Sequence, residues 1–147
     1  MKKDSTSEQK PQPVESLKET KVLLMDPNVI QQKLVSKMLG KIGCPVYFTG
    51  DFKEARNILD TNKIDLILLD VQMQKSNGFD IRQIAREKEK SIGKRIPIVA
   101  LTDKAMKIQR EKCMADGMDE YLPKPVFEKE LCRVIEKLSG NHHQKDS

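Results

Sequence analysis

Five short, mostly apolar segments alternate with longer segments whose apolar residues recur at helical spacing, and this alternation constrains the fold more than any other feature. The most apolar segment, residues 64–69, is interrupted only by Asp65 and ends immediately before Asp70. A run of this length and composition is typical of a strand that is buried on both faces of a sheet. Strands that alternate with helices form a parallel sheet with helices on both faces. The sequence therefore predicts an α/β fold.

The predicted elements cover most of the chain. Strands are expected at residues 21–26, 46–48, 64–69, 96–101 and 118–122. Helices are expected at residues 27–42, 51–62, 79–90, 104–116 and 127–138, with Gly43 as the C-terminal cap of the first. Residues at helical spacing are predicted to face the core, namely Ile30, Leu34, Met38 and Ile42 in the first helix and Phe127, Leu131, Val134, Ile135 and Leu138 in the last.

Length and composition predict a single domain. With 147 residues, of which 37% are hydrophobic, the chain can bury one core of ordinary size. We expect a disordered arm at residues 1–19, the domain at 20–138 and a flexible tail at 139–147. No run approaches the roughly 18 apolar residues of a membrane helix, and the first residues lack the apolar stretch of a signal peptide. These features predict a cytoplasmic protein without a membrane segment, and with no output domain after Leu138.

The three cysteines, Cys44, Cys113 and Cys132, have no spacing that would indicate a metal site. We interpret them as reduced residues of the core, with a redox-active thiol as the alternative. His142 and His143 lie in the polar tail, where solvated side chains are a simpler interpretation than metal ligands.

Positive charge is concentrated in one segment. Residues 82–112 contain ten basic and four acidic side chains, so this segment carries +6 in a chain whose formal net charge is +5. Three interpretations are open: solvated helix faces, a docking surface for an acidic partner, and nucleic-acid binding. Nucleic-acid binding is the least favoured, because the segment has no aromatic residue on which bases could stack.

Four predicted strands are followed by a side chain that can carry chemistry. Asp26 and Asp70 follow the first and third strands, Thr102 follows the fourth, and Lys124 lies between two prolines after the fifth. The carboxyl ends of parallel strands meet at one edge of the sheet, and ligands bind at this edge in open α/β sheets. The four side chains are therefore predicted to share one site.

In this arrangement the chain resembles the receiver domain of two-component response regulators. The similarity rests on Asp26, Asp70, Thr102 and Lys124 in this order at strand ends, on Gly78 eight residues after Asp70, and on Tyr121 before the Leu-Pro-Lys-Pro turn. It covers residues 20–138. The resemblance implies a flavodoxin-like sheet of five parallel strands in the order 2-1-3-4-5, with five helices on its two faces.

The resemblance also implies a role for each side chain. Asp70 would accept a phosphoryl group from a phosphohistidine of a histidine kinase or a histidine phosphotransfer protein. A carboxylate can attack phosphorus when a cation neutralises the charge that would repel it. Mg²⁺, which prefers oxygen ligands, would be bound by Asp26, Asp70 and the main-chain carbonyl of Gln72. Lys124 would supply positive charge, and Thr102 a hydroxyl group, to the phosphoryl oxygens.

A conformational switch is implied as well. Movement of Thr102 would let Tyr121 turn inward and reshape the face formed by the fourth predicted helix, the fifth strand and the fifth helix. An unidentified downstream protein would dock on this face. The Lys124–Pro125 peptide bond is expected to be cis. The chain would thus be a signalling phosphoacceptor, whose own reactions are limited to phosphorylation and dephosphorylation of Asp70, and not an enzyme with another substrate.

One position departs from the family pattern. Receivers carry two adjacent acids after the first strand, whereas this chain has Asp26-Pro27. Proline has neither a carboxylate nor an N–H group, so the resemblance implies a weakened affinity for Mg²⁺. Asp26 has two interpretations: a direct or water-mediated metal ligand, or an N-cap followed by proline at the first helical position. Gln74, at a position where proline is common, is a milder departure.

Three functions are compatible with these residues. Asp70, Thr102, Lys124 and Tyr121 favour a receiver that is switched by phosphorylation. Pro27 favours a pseudo-receiver, which would bind proteins through the same face without phosphate. A phosphatase of the haloacid dehalogenase type would need a second acid two residues after the nucleophile, where this chain has Gln72, and is the least favoured.

Overall fold

The five predicted strands form one parallel sheet. The computed structural model describes residues 19–73, 81–103, 111 and 117–140. Their strands are β1 (Val22–Met25), β2 (Val46–Thr49), β3 (Leu66–Asp70), β4 (Ile98–Thr102) and β5 (Glu120–Pro123). They pair in the order β2-β1-β3-β4-β5. The predicted α/β class and strand order are therefore confirmed.

Four helices flank the sheet in the described part of the chain. They are α1 (Val29–Ile42), α2 (Phe52–Thr61), α3 (Ile81–Ile92) and α4 (Glu128–Ile135), which continues as a π-helical turn over Glu136–Gly140. A short 3₁₀ turn, Val71–Met73, follows β3. Of the fourth predicted helix, at residues 104–116, the structure describes only Glu111. The predicted arm and tail, Gly78, Gln74, Cys113 and the two histidines also lie wholly or mostly outside the described residues.

The core consists of two apolar layers, one on each side of the sheet. Successive strand residues point to opposite faces. In β1, Val22 and Leu24 therefore pack with α1 and α4, whereas Leu23 and Met25 pack with α2 and α3. The residues after these strands lie at the uncovered edge between the layers, where polar groups can reach solvent.

The buried face of α1 differs from the predicted one. Gln32, Val35, Leu39 and Ile42 are buried, whereas Ile30 is 75% exposed and Leu34 is 40% exposed. The predicted core positions of Ile30 and Leu34 are therefore wrong, because α1 carries two apolar stripes and the sheet packs on the other one. In α4, Leu131, Val134 and Ile135 are buried as predicted, but Phe127, the N-cap of α4, is 61% exposed.

The first helix begins later than the sequence indicated. Asn28 is its N-cap, and the Asn28 side chain accepts a hydrogen bond from the Gln31 N–H at 3.0 Å. The interpretation of Asp26 as the N-cap with Pro27 in the first helical position is therefore wrong, since Pro27 precedes the cap. At the other end, Gly43 adopts φ 106° and its N–H binds the Leu39 carbonyl, which confirms the predicted C-terminal cap.

Three basic residues in the described part of the basic segment are paired with acids. Arg86 pairs with Glu89, Lys94 with Asp65 at 3.2 Å, and Arg95 with Asp119 at 2.6 Å. These pairs surround the amino ends of the strands, at the edge opposite Asp70. Lys104, Lys107, Arg110 and Lys112, which carry the rest of the positive charge, lie outside the described residues.

Two cysteines lie in the layer between the sheet, α1 and α4. Cys44 is buried and Cys132 is half-buried, and both are free thiols. Burial, with a smaller contribution from Cys132, raises the pKa of the Cys44 thiol to about 12, so little of it is the reactive thiolate at neutral pH. None of the helices in the described ranges is both long and apolar enough to cross a membrane.

Candidate functional site

Two buried carboxylates lie side by side at the carboxyl ends of neighbouring strands. β1 and β3 are adjacent and parallel, with Met25 paired to Leu69, so the next residues are Asp26 and Asp70. Asp26 is fully buried and Asp70 is 4% exposed. Buried carboxylates are costly unless a cation or hydrogen-bond donors stabilise them. The structure supplies both.

The Lys124 ammonium is the cation that joins the two carboxylates. Its Nζ lies 2.9 Å from Asp26 Oδ2 and also contacts Asp70 Oδ2. Burial opposes protonation of Lys124, but hydrogen bonds from the ammonium to Asp70 and Asp26, and their charges, outweigh it and raise the pKa of Lys124 above its ordinary value. The side chain therefore stays charged at neutral pH.

The turn that carries Lys124 is attached to the end of β4. The Lys124 main-chain N–H donates to the Thr102 carbonyl at 2.7 Å. The Lys124–Pro125 peptide bond is cis, as predicted. Thr102 is the last residue of β4 and is buried, while Tyr121 in β5 is half-buried against the layer of α2 and α3. The structure thus brings Lys124 into contact with Asp26 and Asp70. It places Thr102 beside the turn that carries Lys124.

Each remaining carboxylate oxygen accepts a main-chain N–H group. Asn28 N–H donates to Asp26 Oδ1 at 2.9 Å, and Gln72 N–H donates to Asp70 Oδ1 at 2.7 Å. In addition, the Gln32 side-chain amide donates to the Asp26 main-chain carbonyl at 2.6 Å. The carboxylates are therefore held in fixed orientations by short-range contacts of the loops that follow β1 and β3.

These groups line a cleft of about 440 Å³ at the carboxyl edge of the sheet. Its wall contains Asp26, Pro27, Asn28, Gln31, Asp70, Gln72, Asp103, Lys124 and Pro125. Pro27 occupies the wall without offering a charge. In residues 19–73, 81–103, 111 and 117–140, no group of three His, Cys, Asp or Glu side chains lies close enough to hold a metal ion.

Three residues of the site were missed by the sequence reasoning. Asn28 and Gln32 stabilise Asp26, and Asp103 places a further carboxylate on the cleft wall. Gln32 could have been recognised from the sequence, because it is a polar residue on a helix face whose other members are Val35, Leu39 and Ile42. Asp103 follows Thr102 directly, but nothing in its pattern distinguishes it from an ordinary loop residue.

Comparison with known proteins identifies the family. Residues 22–136 match the sequence profile described as response regulator receiver domain. The chain is 36% identical over 132 residues to hybrid signal transduction histidine kinase L of Dictyostelium discoideum, covering 86% of this chain and 8% of that protein. It is 33% identical over 131 residues to sensor histidine kinase GacS of Pseudomonas protegens, covering 88% of this chain and 14% of that protein.

Two solved structures share the fold. The receiver domain of sensor histidine kinase PA1611 from Pseudomonas aeruginosa, which has a magnesium ion in its active-site cleft, is 30% identical with a TM-score of 0.69, covering 82% of this chain and 98% of that one. The receiver domain of Ssk1 from Saccharomyces cerevisiae, crystallised with the histidine phosphotransfer protein Ypd1, is 26% identical with a TM-score of 0.68, covering 82% and 89%. With a profile match over most of its length and a matching arrangement of strand-end residues, the chain belongs to the response regulator receiver domain family of two-component and phosphorelay signalling.

Proposed function

We propose that this domain is a phosphoacceptor switch in which Asp70 receives a phosphoryl group from a phosphohistidine. The observation that carries the proposal is the buried Asp70 carboxylate, which ends the central strand, faces an open cleft and contacts the Lys124 ammonium. The ammonium offsets the negative charge that would otherwise repel a phosphoryl group. The cleft gives a donor access to a side chain that is otherwise enclosed.

The transfer exchanges one bond to phosphorus for another. An oxygen of Asp70 attacks the phosphorus, an O–P bond forms, and the N–P bond of the phosphohistidine breaks. The leaving imidazole nitrogen keeps the electron pair and takes up a proton. The Lys124 ammonium already contacts Asp70, so it could contact an oxygen of the attached phosphoryl group with little movement. Thr102, at the adjacent strand end, would offer its hydroxyl group to the attached phosphoryl group.

The site fits Mg²⁺, although Pro27 leaves it with one carboxylate ligand fewer than the family pattern. Asp26, Asp70 and the main-chain carbonyl of Gln72 would hold the ion, since Mg²⁺ needs only one or two carboxylates when phosphate and water complete its shell. Two observations support this fit: both carboxylates already bind a cation, the Lys124 ammonium, and the buried Gln31 Oε1 has no hydrogen-bond donor among the described groups. The bound ion would supply charge neutralisation at the phosphoryl oxygens.

The phosphate donor would be a histidine kinase or a histidine phosphotransfer protein, and we propose that it docks on the outer stripe of α1. Val29, Ile30 and Leu34 are 59%, 75% and 40% exposed. They lie in the first half of α1, which starts at the cleft. A donor histidine must enter this cleft, so its protein covers the surface beside it. The complex of Ypd1 with the Ssk1 receiver is a precedent for such a pair.

Ile30→Asp is expected to slow phosphotransfer from a donor protein by about tenfold, because it places a charge in an apolar contact. The rate of transfer from a phosphohistidine donor that phosphorylates the wild type would measure this. Ile92→Asp is the matched control, since Ile92 is 44% exposed on α3 at the opposite edge of the sheet. If both variants slow the transfer equally, or if neither slows it, α1 is not the docking surface.

The conformational change caused by phosphorylation would reach the partner-binding face through β5. Tyr121 pairs with Ala100, two residues before Thr102, so a movement of Thr102 reaches the Tyr121 backbone through direct strand pairing. Phosphorylation would thereby alter the face of β5 and α4 on which a downstream protein docks. The buried Glu120 beside Tyr121 is paired with Lys137 at 2.9 Å, which ties the end of the last helix to the same strand.

A pseudo-receiver is the second candidate, and Pro27 is the observation that favours it. Although Asp103 also lines the cleft, no three acids within the described ranges lie close enough together to hold a metal ion, and the Lys124 ammonium already offsets part of the charge of Asp26 and Asp70. A domain with this site could bind proteins without being phosphorylated. The two candidates differ in whether Asp70 reacts.

Incubation with acetyl phosphate and Mg²⁺ is expected to add one phosphoryl group to the wild type and none to Asp70→Asn. Intact-mass analysis would measure both, because it counts phosphoryl groups directly. The bound phosphate should be lost on acid treatment, since an acyl phosphate is labile. Phosphate that is stable to acid, or that persists in Asp70→Asn, would disprove the assignment of Asp70. An unmodified wild type would favour the pseudo-receiver.

A further inference from the structure

Gln32 is a polar residue in an apolar position. It is 7% exposed and shares the buried face of α1 with Val35, Leu39 and Ile42. Burying an amide among apolar side chains is unfavourable unless the amide is hydrogen-bonded. Its Nε2 donates to the Asp26 main-chain carbonyl at 2.6 Å. The side chain is therefore committed to one contact, and that contact is with the residue that carries a carboxylate of the cleft.

The Asp26 carbonyl needs this donor because the chain leaves the sheet there. Asp26 N–H is the last link to β2, donating to the Thr49 carbonyl at 3.1 Å. The next residue, Pro27, has no N–H. Gly50 packs against this contact: a Cβ on it would lie 3.2 Å from the Asp26 carbonyl oxygen, 3.3 Å from Pro27 Cα and 3.4 Å from Gln32 Nε2. The Asp26–Pro27 peptide is thus hydrogen-bonded by the Gln32 amide and closely packed by Gly50.

The orientation of this peptide sets the position of Asn28, which contacts the Asp26 side chain. Asp26 Oδ1 accepts from Asn28 N–H, and Oδ2 contacts the Lys124 ammonium. A rotation of the peptide would move the Asn28 N–H away from Oδ1, so the carboxylate would lose one of the two contacts that orient it. Because Pro27 stands where the family has a second acid, Asp26 is the one carboxylate that β1 contributes to the cleft wall. No neighbouring acid on this loop can compensate for a change in its position.

We propose that Gln32 is a positioning residue of the phosphoacceptor site, which keeps the Asp26 carboxylate directed at Lys124 and at a bound divalent cation. The proposal rests on the proposed function of this site. Gln32 does not touch the cation or the phosphoryl group, and it acts through the Asp26 carbonyl. Groups that orient a metal ligand affect affinity although they make no bond to the metal.

Two substitutions separate hydrogen bonding from packing. Gln32→Met keeps an unbranched side chain of similar length in an apolar environment, so the domain should remain folded. Gln32→Glu keeps the shape but has no donor when ionised. Both variants are expected to bind Mg²⁺ about tenfold more weakly than the wild type. They are also expected to exchange the Asn28 amide hydrogen about tenfold faster, because Asp26 Oδ1 no longer holds it.

Nuclear magnetic resonance measures both quantities on the same samples, by titration with Mg²⁺ and by hydrogen exchange. The Gly43 amide, which binds the Leu39 carbonyl at the other end of α1, is the internal reference. Val35→Ala is the matched control, since it removes packing from the same buried face. It should lower the melting temperature while Mg²⁺ affinity and the Asn28-to-Gly43 ratio of exchange rates stay unchanged.

Wild-type values in Gln32→Met or Gln32→Glu would overturn the proposal. Equal changes in Val35→Ala would also overturn it, because they would show a general loss of packing. If the wild type shows no Mg²⁺ binding, the Asn28 exchange rates alone decide. Failure of the wild type to become phosphorylated at Asp70 would disprove the proposed function and leave the positioning result to stand on its own.

Discussion

Lys124→Met is expected to reduce phosphorylation of Asp70 by about a hundredfold or more and to lower the free energy of unfolding by about 2 kcal/mol. The loss of rate follows from removing a preorganised positive charge at the phosphoryl oxygens. The loss of stability follows because Asp26 and Asp70 would remain buried without the cation that joins them. The raised pKa of Lys124 means that its contribution to stability is complete below the ordinary value of 10.5 and is lost only as the pH rises beyond it.

Mg²⁺ should restore much of the stability of Lys124→Met, and should stabilise it more than the wild type, because the ion can replace the missing ammonium. Urea unfolding with and without Mg²⁺ measures this difference. Lys137→Met is the matched control, since it also removes a lysine from a buried carboxylate, Glu120, but away from the cleft. It should lose stability without gaining from Mg²⁺ or losing phosphorylation. A Lys124→Met protein of unchanged stability would contradict the role of this ammonium.

Pro27→Asp is expected to tighten Mg²⁺ binding by roughly thirtyfold. Two unit charges about 4 Å apart attract by about 4 kcal/mol at an effective dielectric constant of about 20, and loss of about half of this to dehydration leaves such a gain. The new carboxylate would line the same cleft as Asp26 and Asp70. Stability without metal should fall slightly, because proline restricts the unfolded chain and the added charge faces two others. Calorimetric titration and thermal melting measure the two effects.

Pro45→Asp is the control for this experiment. Pro45 is exposed between α1 and β2, so its replacement removes a similar restraint without reaching the cleft. It should leave Mg²⁺ affinity unchanged. If Pro27→Asp also leaves it unchanged, Asp26 does not form half of a metal pair, and the pseudo-receiver becomes the better proposal.

The fold could be predicted because its signals are local and agree with one another. Each strand is a short apolar run, each end is marked by a polar residue, glycine or proline, and the alternation with helices indicates a parallel sheet. The site followed from the same logic, since Asp26, Asp70, Thr102 and Lys124 all lie at or directly after the carboxyl ends of strands. Topology alone brings such residues to one edge.

What could not be predicted depends on packing between elements. Both Ile30-Leu34-Met38 and Val35-Leu39-Ile42 have helical spacing, and only the contact with the sheet decides which stripe is buried. The start of α1 was misplaced because Asp26 and Asn28 are both good caps, and only the hydrogen bond to Gln31 selects Asn28. The Gln32 contact joins a side chain to a carbonyl six residues earlier, and helix or strand propensities do not predict such a contact.

The two stripes of α1 give one helix two independent sets of constraints. Residues on the inner stripe are fixed by the sheet and by the Asp26 loop, so they can change only together with the core. On the outer stripe, Ile30 and Leu34 are exposed, so substitutions of these two residues should leave the fold and the cleft unchanged. If the donor docks on α1 as proposed, its preference could therefore be changed by grafting a few exposed residues from another receiver onto the first half of this helix.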